Sequence, residues 1–107
     1  MLVHLPQSAR ESKEATMSLS NQQIQILRAM SEDSTGRLLY SRHWGGSGLT
    51  LQTNGQDFAA GANAREVATL EDDLIQLQRY GYIVQEVSGR TFKITKLGYD
   101  FVDAVAS

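Results

Sequence analysis

The segment from Ala64 to about Tyr80 constrains this chain most. Val67, Leu70, Leu74 and Leu77 recur there at helical spacing, while Arg65, Thr69, Asp72, Gln76 and Arg79 fall on the opposite side. A helix with one apolar stripe must lay that stripe on a core that the rest of the chain supplies. Asn63 offers a cap at its start, and Gly81 stops it, because glycine enters the left-handed region that ends helices. The period then drops from 3.6 to 2. Tyr82 to Val87 and Arg90 to Thr95 are β-prone runs joined by Ser88-Gly89, with Ile83, Phe92 and Ile94 available to a buried face, and they predict a hairpin. Thr95 is placed to cap a last helix in which Leu97, Phe101, Val102 and Val105 are expected to cover the core.

Upstream, Ser20 and Gln23 form an S-x-x-Q capping box, with Leu19 and Ile24 at the staple positions on either side of the cap. Ile24, Leu27 and Met30, with Ile26 beside them, continue as a helical stripe until Ser31-Glu32-Asp33-Ser34 ends it. Between Gly36 and Phe58 the pattern is β-like. Leu38-Leu39-Tyr40 and Leu49-Thr50-Leu51 flank Gly45-Gly46-Ser47-Gly48 and read as a hairpin, and Asn54-Gly55 signals a tight turn into a third short strand from Gln56 to Phe58. A chain of 107 residues has room for one core. Residues 1–18 read as an N-terminal tail or short pre-helix, resting on the Ser8-Ala9-Arg10-Glu11 capping spacing, and residues 19–107 as the domain.

Two segments carry a resemblance. Leu74-Ile75-Gln76-Leu77-Gln78-Arg79-Tyr80-Gly81-Tyr82-Ile83, followed by the hairpin and by Phe92-Lys93-Ile94-Thr95-Lys96-Leu97-Gly98, resembles the second half of many prokaryotic winged-helix domains. The resemblance implies an α+β, winged-helix-like fold with three main helices and a small antiparallel sheet that includes a C-terminal wing hairpin. The first helix is compatible with the opening helix of that family. Gly36 to Phe58 departs from it, since a standard helix-turn-helix places a second helix where this chain has β and glycine signals.

Chemistry by side chains is poorly provided for. Cysteine is absent, which removes disulfides, thiolate zinc sites and thiol nucleophiles together. A metal or general-base site would have to be assembled from His4, His43 and scattered carboxylates, and no HExxH, Walker-A or GxSxG pattern occurs. The Gly45–Gly48 loop lacks the following lysine and helix start of a phosphate loop, so it reads as a turn. Glu71, Asp72 and Asp73 are consecutive on a helix, point in different directions, and read as a solvated face. The expectation is therefore no enzyme activity, no cofactor and no metal. No apolar run approaches the ~20 residues that cross a bilayer, and Leu2, Val3 and Leu5 are cut off by Pro6 without a basic flank. The chain is expected in the cytoplasm, with no membrane partner.

The winged-helix resemblance implies that the helix before the wing enters a DNA groove and that the wing touches the backbone. That assigns Arg65, Thr69, Gln76 and Arg79 to the groove side and Arg90 and Lys93 to the wing, with Arg37, Arg42 and His43 extending the surface. Against it stand a net charge of −2 and Asp72 in the middle of the same face. Trp44, beside Arg42 and His43, is suited either to stacking on a base or partner pocket or to packing across its own hairpin. Two functions follow as expectations. One is a nucleic-acid-binding, transcription-regulatory module, acting as a homodimer so as to read two half-sites. The other is a protein-interaction domain of a larger assembly, with Arg42, His43, Trp44 and Asp72 as its docking residues.

Overall fold

The structure, a computed structural model, describes residues 19–42 and 48–106. The proposed pre-helix, His43 and Trp44 lie outside the described residues. Three helices and five strands follow in the order α1 (Asn21–Glu32), β1 (Arg37–Arg42), β2 (Leu49–Thr53), β3 (Gln56–Asp57), α2 (Ala64–Arg79), β4 (Ile83–Gln85), β5 (Thr91–Ile94) and α3 (Lys96–Ala106). The strands form one antiparallel sheet in the order β3-β2-β1-β5-β4. The sequence suggested two separate β-regions. They are one sheet because β1 pairs with β5, with Leu38 opposite Phe92 and Leu39 opposite Thr91.

Each junction is built by the residues that signalled it. Ser20 accepts a bond from the Gln23 backbone while the Gln23 side chain accepts one from the Ser20 backbone, closing the predicted box at α1. Asn63 and Glu66 make the same reciprocal pair at α2. The end of α2 is a Schellman motif: the Tyr82 N–H reaches the Leu77 carbonyl, the Gly81 N–H reaches that of Gln78, and Gly81 takes the positive φ the motif requires. Asn54 and Gly55 both have positive φ, as a two-residue hairpin between β2 and β3 demands.

Alternation along the strands sends Leu38, Leu49, Leu51, Ile83, Phe92 and Ile94 inward, where they meet Ile26, Leu27 and Met30 of α1, Val67, Leu70, Leu74 and Leu77 of α2, and Phe101 of α3. The last helix departs from expectation. Phe101 is buried and Val102 packs partly against the core, but Leu97 and Val105 are exposed. Gly98 is why the first turn of α3 lies so close to the sheet: a side chain there would run into the Tyr82 carbonyl and Ile94.

Candidate nucleic-acid interface

Helical geometry brings Arg65, Thr69, Asp72, Gln76 and Arg79 onto one side of α2, within about 40° of Arg65 at 100° per residue. Arg65, Thr69, Asp72 and Arg79 are all exposed. The two arginines bracket the helix about 21 Å apart at 1.5 Å per residue.

The polar groups between them are partly committed. Thr69 donates its hydroxyl hydrogen to the Arg65 carbonyl. Gln76 is half-buried, accepts a 2.9 Å bond from the buried Gln23 amide and donates to Asp72 at 3.2 Å. Gln23 also donates to the Asp73 backbone carbonyl. The glutamine of the α1 capping box is thus also the clamp between α1 and α2, and Gln76 joins two helices rather than standing free on the outer face.

The acidic run on α2 is not the solvated face that three consecutive carboxylates suggested. Asp72 is exposed. Glu71 accepts a 2.6 Å bond from the Tyr40 hydroxyl and lies 3.5 Å from the Arg42 guanidinium, tying β1 to α2. Burial, reinforced by Glu71, pushes the Tyr40 phenol up to about 12. Asp73 is only 8% exposed, and its carboxyl is raised above the ordinary range, first by burial and then by the neighbouring charge of Asp72. Burial here penalises the charged form, so Asp73 contributes most favourably when protonated, and that contribution fades as pH rises through its raised pKa.

On the ribbon, Glu86 forms a bidentate pair with Arg37, at 2.7 and 3.2 Å, and accepts the Thr91 hydroxyl. These contacts hold the Glu86 carboxyl below its usual value. Arg90 lies in the exposed turn of the β4–β5 ribbon. Lys93 is across from Val84 and Arg37 on the open face of the sheet, turned away from the core against which α2 packs. The structure therefore gathers the α2 residues on one surface and puts Lys93 on another. Among the described residues Arg37, Arg42 and Lys96 form ion pairs, whereas Arg28, Arg65, Arg79, Arg90 and Lys93 form none. No group of three His, Asp or Glu among the described residues is placed to hold a metal ion.

The class these observations define is an α+β domain of three helices on a five-stranded antiparallel sheet. No family model, no curated protein and no solved structure matches the chain. No helix among the described residues is long and apolar enough to cross a membrane.

Proposed function

We propose that this domain is a winged-helix-type nucleic-acid-binding module that acts in the cytoplasm by binding, without catalysis, with α2 against the duplex and the β4–β5 ribbon as its wing. The observation that carries the reading is the division among the basic residues. Arg37 and Arg42 are spent on carboxylates that hold the fold together, while among the described residues Arg65 and Arg79 on α2 and Arg90 in the ribbon turn have no carboxylate partner; Arg28 is unpaired too, but it lies on α1, outside these two elements. Cations left unpaired on a chain of net charge −2 are those available to replace the counterions of a phosphate backbone. The Schellman turn supports the same reading, since it joins Arg79, the last residue of α2, to Ile83, the first residue of the ribbon, through three residues and so sets helix and wing in a defined relation. Base contacts are few in this account, because Thr69 and Gln76 already have internal partners. Binding is therefore weakly sequence-selective per protomer, and a homodimer on two half-sites supplies the rest. In a fluorescence-anisotropy titration of mixed-sequence duplex at low salt, Arg65→Glu and Arg79→Glu should each weaken binding severalfold, and Arg28→Glu on α1 should not. Absence of binding by the parent protein contradicts the reading.

A second reading rests on a different observation. The open face of the sheet carries Leu39 and Val84, 41% and 49% exposed, beside Lys93 and Thr91. A protein-interaction domain would use such a face, together with Arg42, Asp72 and the segment containing His43 and Trp44. A stable protein complex broken by Leu39→Glu, in a protein that retards no DNA, favours this reading over the first.

A further inference from the structure

A groove of about 470 Å³ lies between the start of α1, residues 58–62 and the first half of α2. Its volume falls within the range of small-molecule sites. Phe58, Ala62 and Leu70 give it apolar walls, Ser20 and Thr69 line it with hydroxyls, and Asp73 borders it from α2. No hydrogen bond or ion pair engages the Asp73 carboxylate among the described residues, although the residue is more than nine-tenths buried. No fully buried side-chain oxygen among the described residues lacks a partner, so the oxygens of Asp73 must reach solvent, and the groove is the opening it borders. A carboxylate this largely buried and without a protein partner is costly to keep in a fold, because nothing in the protein offsets the part of its hydration that is lost.

We propose that this groove binds a small organic cation, an ammonium or guanidinium group on a short apolar stem, with Asp73 as its counter-ion. The head would take the charge and hydrogen bonds that the Asp73 carboxylate lacks, and the stem would lie along Phe58, Ala62 and Leu70. Arg65 is also on the rim, but it is exposed and sits next to Glu66, so its repulsion of an incoming cation is screened and locally offset. The site does not depend on the nucleic-acid reading, although the two share Arg65 and Thr69.

The test is a titration of the full chain with n-butylguanidinium chloride at neutral pH, followed through backbone amide shifts. The neutral isostere n-butylurea serves as the control. The expected result is saturable shifts of Phe58, Ala62, Thr69 and Leu70, at least tenfold weaker binding of n-butylurea, and at least tenfold weaker binding of the cation by Asp73→Asn. Ala60→Phe, at an exposed residue on the groove, should block binding while leaving the thermal transition in place, so the test stands even if the Asp73 variant does not fold. Equal binding of the urea, undiminished binding by both variants, or no saturable shift overturns the proposal.

Discussion

Asp33 shows how much a single carboxylate can organise. It caps no helix start, yet it accepts bonds from the backbone and hydroxyl of Thr35, from the Arg37 backbone and from the Asn54 backbone, joining the end of α1 to β1 and to the β2–β3 turn. Those donors, the Thr35 hydroxyl foremost, lower its pKa to about 2. A depressed carboxylate contributes stability that is fully present above its unfolded pKa near 3.8 and is lost as pH falls through its folded one. Denaturant unfolding should therefore find Asp33→Asn less stable by about 1–2 kcal/mol at neutral pH, once solvent screening at a partly exposed site is discounted. The difference should close between pH 4 and pH 2. Gly98 is the complementary case, in which the absence of a side chain matters. Thr95 accepts the Gly98 N–H and donates to the Gly81 and Tyr82 carbonyls, drawing the start of α3 onto the end of α2 until no Cβ fits at Gly98. Thermal melts of Gly98→Ala should show a loss of about 1–3 kcal/mol, the cost of overpacking a tight contact. The capping role of Thr95 was legible from sequence. The need for Gly98 was not, because it arises from a carbonyl sixteen residues earlier in the chain.

Elements whose signals are local formed where the residues placed them: the Ser20–Gln23 capping box, the Asn63 cap, the glycine stop after α2 and the Asn54-Gly55 hairpin. What sequence periodicity did not reveal is pairing between distant elements. Nothing in Arg37–Leu39 marks Thr91–Lys93 as its partner, because both runs show only that they have one buried face. Strand limits also came out shorter than the β-prone runs, since Tyr82 is taken by the Schellman turn and the Gly89 N–H closes a turn on the Glu86 carbonyl. The candidate surface had the same weakness. The outer face of α2 was readable from its helical period, but the diversion of Gln76 to Gln23 and the burial of Asp73 depend on where α1 docks. The α1–α2 clamp carries its own prediction. Gln23→Leu keeps the volume and removes every bond of a fully buried amide, leaving the Asp73 carbonyl and the Ser20 N–H without it. Chemical denaturation should show about 2–3 kcal/mol lost, with amide exchange accelerated first at the α1–α2 contact.

At the scale of the whole molecule, β1 is the strand that makes one domain of two halves. It carries the β2–β3 hairpin on one edge and the β4–β5 ribbon on the other, so the region between α1 and α2 is built into the same sheet as that ribbon. Where a helix-turn-helix has its second helix, this chain has a hairpin, and α2 must meet any duplex without that neighbour. The molecule also divides its charge: paired arginines brace the sheet and α2, while among the described residues unpaired ones remain on the outer face of α2, in the ribbon turn and, as Arg28, on α1. The central claim is that the unpaired cations of α2 and the ribbon turn contact phosphates. The most direct measurement is the slope of log Kobs against log salt for duplex DNA, in the parent protein and in Arg65→Ala and Arg79→Ala. The account predicts a negative slope that each substitution makes shallower by about 1, with affinity lowered to a similar extent across unrelated sequences. A slope unchanged by both substitutions, or affinity that does not depend on salt, would contradict it.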